Sequence, residues 1–215
     1  MIVTKKKDIN KVLENLKDDK KIFIIGCGQC STICKTGGEK EVLEMKKILE
    51  QNGKKITGFA VPEAPCLAPE AIMLMRKNKD AISEADAILN LSCGLGSQSI
   101  NDHLLIDKMI HVGCDTLFMG QVGKNGVLLE RCSGCGDCML EITASLCPMT
   151  RCPKGMVNGP CGGQDKGKCE VDRENDCVWI LIYEKLKKRN QLDKIKKIQE
   201  PKDHSISLKP RTIKV

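Results

Sequence analysis

Residues 21–38, KIFIIGCGQCSTICKTGG, decide the fold. Lys21–Ile25 (KIFII) is an apolar run too short for a helix, and it reads as a strand buried on both faces. It opens directly into a loop rich in glycine and cysteine. Working outward, Val42, Met45 and Leu49 share one face of a helix spanning residues 39–52, and residues 56–61 form a second strand. Residues 70–77 are helical, residues 87–91 (AILNL) form a third strand, residues 97–110 a helix and residues 116–119 (TLFM) a fourth strand. Ile9, Val12, Leu13 and Leu16 add a helix at the N-terminus. Alternating strands and helices imply a parallel sheet covered by helices. The fold class is α/β: a small Rossmann-like or flavodoxin-like parallel-sheet domain over residues 1–130, followed by a loop-rich, cysteine-ligated metal or cluster module with a C-terminal helix (131–188) and a basic tail (189–215).

In such sheets ligands sit in the crevice beyond the carboxyl ends of the strands. Cys27, Cys30 and Cys34 follow the first strand, and Cys93 follows the third in the run SCGLG. These four are the candidate metal ligands of the rim. Cys66, in the proline-rich loop PEAPCLAPE, lies on the same edge and either replaces Cys93 or sits idle. Glycines around these thiols let the backbone approach closely and offer N–H groups to sulfur or to an anion. The run fails as a G-x-G-x-x-G dinucleotide fingerprint, because Cys30 and Ser31 interrupt it. A redox or structural thiol set and nucleotide binding by the glycine-rich turn are the other readings of this rim.

The chain has 14 cysteines in 215 residues, and eight of them fall in residues 131–177. This segment is too poor in large apolar residues to fold by core packing alone, so metal ligation has to stabilise it. Cys132, Cys135 and Cys138 follow the C-x2-C-x2-C spacing of four-iron clusters, and Cys147 and Cys152 each precede proline, as the remote ligand of ferredoxin-type motifs does. The preferred grouping is Cys132, Cys135, Cys138 and Cys147 for one site and Cys152, Cys161, Cys169 and Cys177 for the other. Exchange of Cys147 and Cys152 is chemically as reasonable. Structural zinc, held by four thiolates without a redox role, is the competing occupant, especially of the second site.

Composition narrows the function classes. The N-terminus lacks the apolar h-region of a secretory signal, so a cytoplasmic location is expected, where thiols stay reduced and dense cysteine reads as metal-binding or catalytic. No apolar stretch approaches the ~20 residues of a membrane span. The net charge of +7 is concentrated in residues 178–215, and aromatic residues make up only 2% of the chain. A nucleic-acid surface of basic stripes and stacking rings is therefore not expected. His103, His111 and His204 lie apart from the cysteine runs and read as packing or surface residues. Cys114 reads as a small buried hydrophobe. Trp179 and Tyr183, at i and i+4 after Cys177, are expected on one helix face with Ile182 and Leu186, either as the module's core or as a docking face.

The run CSGCGDC, then CP, RCPKGMVNGPCGG, GKCEV and CVW followed by ILIYEKLKK, resembles the C-terminal domain associated with methylenetetrahydrofolate reductase, in the MetV-type family of cysteine-rich partner subunits from anaerobes. GCGQCSTICKTGGEKEV and LNLSCGLGSQ are similar to the N-terminal portion of the same family, so the resemblance covers about residues 20–188. It implies two or three [4Fe-4S] clusters, zinc being possible at one site. It also implies an electron-donor protein, and docking on a separate reductase subunit whose FMN or FAD reduces 5,10-methylene- to 5-methyltetrahydrofolate. The chain itself shows no acid/base constellation and no room for a ~250-residue barrel. Its competing readings are a zinc-bound scaffold and a thiol or methyl-transfer site on the rim.

Overall fold

The computed structural model describes residues 1–214. In chain order the first unit holds β1 (Ile2–Lys6), α1 (Ile9–Asn15), β2 (Lys21–Ile25), α2 (Cys30–Ile33), α3 (Glu39–Gln51), β3 (Lys55–Ala60), α4 (Ala68–Lys77), α5 (Lys79–Glu84), β4 (Ala87–Asn90), α6 (Gly94–Asp102) and β5 (Met109–Val112). Then come β6 (Cys114–Val122), β7 (Leu128–Cys132), α7 (Pro148–Arg151) and α8 (Val178–Lys188). The chain divides into two compact units, Met1–Phe118 and Met119–Val215.

The first unit is built on a four-stranded parallel sheet in the order β3-β2-β4-β5. Every residue of β4 is buried, as are Ile22 to Ile25 of β2, because helices cover both faces of these central strands. Alternation along β2 divides the core. Ile22 and Ile24 pack with Val12, Leu16, Val42, Leu49 and Leu89 on one face. Phe23 and Ile25 pack with Leu74, Met75, Ile82, Ile88 and Ile100 on the other. The chain leaves β2 for β3 on one side and then crosses to β4 on the other, so β2 and β4 flank the topological switch point where open α/β sheets bind ligands.

Three expectations need correction. The TLFM segment lies within β6, which belongs to a separate three-stranded sheet of order β1-β6-β7. The fourth parallel strand is instead β5, placed by sequence at the end of a helix; α6 stops at Asp102, and MIHV pairs with β4, its β-branched Ile110 opposite Ile88 and Val112 opposite Asn90. Tyr183 does not share the buried face of α8: Val178, Trp179, Ile182 and Leu186 are buried, whereas Tyr183 is exposed and lies under the Lys187 ammonium.

In the second unit, β6 and β7 pair antiparallel from Met119 opposite Cys132 to Val122 opposite Leu128. The buried face of α8 forms a small core with Ala144, against which Met139, Leu146, Met156, Cys152 and Cys177 pack. The C-terminal residues are not free of this unit. Lys194 pairs with Glu141 at 2.6 Å, Lys202 with Asp137 at 3.0 Å, and Arg211 donates to the Gly134 carbonyl at 2.9 Å.

Candidate metal centres

The rim of the parallel sheet is assembled by three loops. Cys27 leaves the end of β2, its amide donating to the Gly37 carbonyl at 2.8 Å, and Cys30 begins α2. The loop carrying Cys66 is pinned beside them: the Gly28 amide donates to the Pro62 carbonyl at 2.8 Å, the Cys27 thiol to the Glu63 carbonyl at 3.8 Å, and the Gln29 amide group to the Glu63 carboxylate at 2.6 Å. Pro65 closes against the start of α6, where a β-carbon on Gly96 would lie 3.2 Å from its ring. Cys93 precedes α6. Cys27 and Cys93 are buried, Cys30 is half-buried and Cys66 is exposed. Partial burial of its sulfur raises the Cys66 thiol pKa, and the charges of Cys93, Cys27 and Cys30 raise it further, so the four sulfurs share one electrostatic neighbourhood.

Cys34 faces elsewhere. Its thiol donates to the Ile2 carbonyl of β1 at 3.8 Å. Cys114 is its neighbour on that side, buried and donating to the Leu91 carbonyl at 3.3 Å and the Thr36 carbonyl at 3.7 Å. Burial pushes the Cys114 thiol up to about 11.

In the second unit α7 separates two neighbouring cysteines. Cys147 sits at its N-terminal end and Cys152 at its C-terminal end. Cys152, Cys161, Cys169 and Cys177 line one cavity, walled also by Trp179, Pro153 and Pro160. The Trp179 indole N–H donates to the Met156 carbonyl at 2.9 Å and holds the ring in that wall. Cys147 instead lines a cavity with Gln121, Arg131 and Arg151. Thr150 of α7 donates to the Arg131 carbonyl at 3.3 Å, which ties the helix to β7, where Cys132 is the last residue. The Cys132 sulfur accepts from the Gly134 amide at 3.3 Å, and the Cys135 thiol donates to the Asp137 carbonyl at 3.6 Å. Arg151 loses basicity through burial and through Arg131 beside it, so this cavity is electropositive and favours an anionic occupant.

An all-sulfur set of four around one cavity fits the donor chemistry of an iron–sulfur cluster or of zinc. Among the described residues, no group of three or more His, Cys, Asp or Glu side chains is drawn together to metal-ligand separation. The histidines stand apart from the thiols: His111 pairs with Asp19 at 3.0 Å, His103 meets the Ser99 carbonyl at 2.7 Å, and His204 lies in the C-terminal segment. Sequence reasoning missed the arginine pair beside Cys147 and the contacts of the C-terminal segment with the 134–141 loop. Neither has a spacing signature. No helix among the described residues is long and apolar enough to cross a membrane.

No curated protein and no solved structure matches the chain. Residues 111–205 match the family model described as "Methylene-tetrahydrofolate reductase C terminal", and this stretch, which holds all eight cysteines of the second unit, is similar to that domain.

Proposed function

We propose that the chain is an iron–sulfur electron-transfer partner of a flavin-dependent methylenetetrahydrofolate reductase, taking electrons from a donor protein and passing them to the flavin of a separate catalytic subunit. The observation that carries this reading is that the reductase-related match contains both four-cysteine sets. When bound, a [4Fe-4S] cluster at each set supplies one-electron transfer.

The chain's own residues have definable tasks. Cys132, Cys135, Cys138 and Cys147 would hold one cluster, and Cys152, Cys161, Cys169 and Cys177 the other. The Gly134 amide pointing at the Cys132 sulfur withdraws electron density from it, which favours the reduced state. Arg131 and Arg151 act in the same sense beside Cys147. Trp179, Pro153 and Pro160 shield the second cavity from water, which disfavours added negative charge there. Arg151 and Lys154 also line that second cavity and oppose this effect.

Anaerobic purification tests the reading. The chain should carry iron and acid-labile sulfide with a broad absorption near ~400 nm that bleaches on reduction. Co-expressed with a flavin-bearing reductase subunit, it should co-purify in fixed stoichiometry and speed electron delivery to the flavin, while alone it should leave the folate unreduced. Zinc in place of iron at both sets, or reduction of the folate by the chain unaided, overturns the proposal.

A further inference from the structure

We infer that the rim of the first unit is a four-thiolate metal site made by Cys27, Cys30, Cys66 and Cys93, with Cys34 outside it. The site goes beyond the reductase reading: it lies outside residues 111–205 and stands or falls separately.

The geometry selects these four. Cys27 and Cys93 leave the carboxyl ends of β2 and β4, the two strands that flank the switch point. Cys30 stands one C-x2-C hook beyond Cys27, a spacing that lets two thiolates of one loop reach a single centre. The fourth donor comes from the 61–67 loop, which is not a loose connection. Hydrogen bonds from Gly28, Cys27 and Gln29 fasten its Pro62–Glu63 end to the Cys27 loop. The Ala64 amide donates to Glu70 at 2.8 Å, and the Leu67 amide closes a turn on the Ala64 carbonyl at 2.9 Å, with Cys66 inside that turn. Pro65 rests at the start of α6, next to Cys93. Cys66 is thereby held between the other two loops. Cys34 lies one helical turn after Cys30, yet its thiol is engaged by the Ile2 carbonyl of β1, towards Cys114.

Four sulfurs brought to one rim by three loops are a thiophilic donor set. Binding a divalent ion exchanges thiol protons for metal–sulfur bonds, and the cation relieves the mutual repulsion that the four thiolates would otherwise feel. A zinc ion and a [4Fe-4S] cluster can both be held by such a tetrathiolate set.

Site-resolved alkylation of the full chain is the test. The reduced, metal-stripped protein is treated anaerobically with iodoacetamide, before and after loading with zinc alone or with iron plus sulfide, and each cysteine is followed in its own peptide. The expected result is that loading slows alkylation of Cys66 at least ~10-fold, together with Cys27, Cys30 and Cys93, while Cys34 keeps its rate, because a ligated sulfur is no longer a free nucleophile. Whichever loading protects identifies the occupant. In parallel, Cys66→Ser should lower the metal bound by the full chain by one site's worth and Cys34→Ser should not. Protection of Cys34 in place of Cys66, equal metal loss from both variants, or no protection under either loading overturns the inference. None of these outcomes touches the 131–177 clusters, which are read from their own peptides.

Discussion

The fourteen cysteines are one residue type in several physical states, and Cys114 shows the extreme that is not a ligand. It is buried, its thiol donates to two backbone carbonyls, and desolvation is the largest reason that its pKa rises from 9.0 to about 11. A thiol whose folded pKa lies above its unfolded value is held protonated by the native state. Its contribution is therefore complete below pH 9 and is lost as pH climbs towards 11. The loss should reach about 2 kcal/mol at pH ~10.5. Denaturant unfolding of the wild type and of Cys114→Ala at pH ~8 and pH ~10.5 should show the wild type losing about 2 kcal/mol more than the variant. An equal loss in both would assign the alkaline transition to lysines. The same burial makes Cys114 unreactive, in contrast to exposed Cys66.

At the scale of elements, what could be read from the sequence follows from how each is buried. β2 and β4 were legible because burial on both faces leaves continuous apolar runs, and α3 because its apolar positions recur at helical spacing. β5 was not, because only Ile110 of MIHV packs into the core and the edge strand lacks a two-faced signal. β1 and β7 each mix apolar with charged residues, IVTKK and LLERC, and are recognisable only through their partner β6. The thiols on the rim were legible as a group, since strand ends converge. The direction of Cys34 was not, because it is set by Ile2, 32 residues earlier. The loop after β2 also has a constraint that no spacing rule contains. A β-carbon on Gly37 would lie 2.0 Å from the Leu91 carbonyl oxygen, which is backbone just beyond β4 and cannot rotate away. Gly37→Ala should therefore destabilise the first unit by about 3 kcal/mol. Gly53→Ala, at a positive φ but with open space around it, should cost only about 1 kcal/mol. Equal costs in chemical denaturation would mean that the loop yields freely at Gly37 and does not hold the rim.

The whole molecule combines two ways of making a stable unit. The first has helices packed on both faces of a parallel sheet, with two extended apolar clusters and nothing in them that depends on a metal. The second buries Ala144, Val178, Trp179, Ile182 and Leu186, and much of the rest of residues 131–177 is turns, several through glycines at positive φ such as Gly155, Gly159, Gly162 and Gly167. So small a core offsets little of the entropy of ordering such a segment, and the surface pairs that tie the C-terminal residues to it, Lys194 with Glu141 and Lys202 with Asp137, are solvent-screened and add little. Sulfur–metal bonds would have to supply the difference. Removing metal from the full chain, anaerobically and with reductant present, should therefore act on one unit and spare the other. Hydrogen exchange resolved by peptide should show amides in residues 131–177 and in α8 losing at least ~100-fold in protection, while those of β2 and β4 stay slow. Trp179, the single tryptophan, should shift its emission towards the solvent-exposed position in the same titration. Unchanged protection in 131–177 would mean that this unit folds by packing alone, and its eight cysteines would then lose their strongest reason to be ligands.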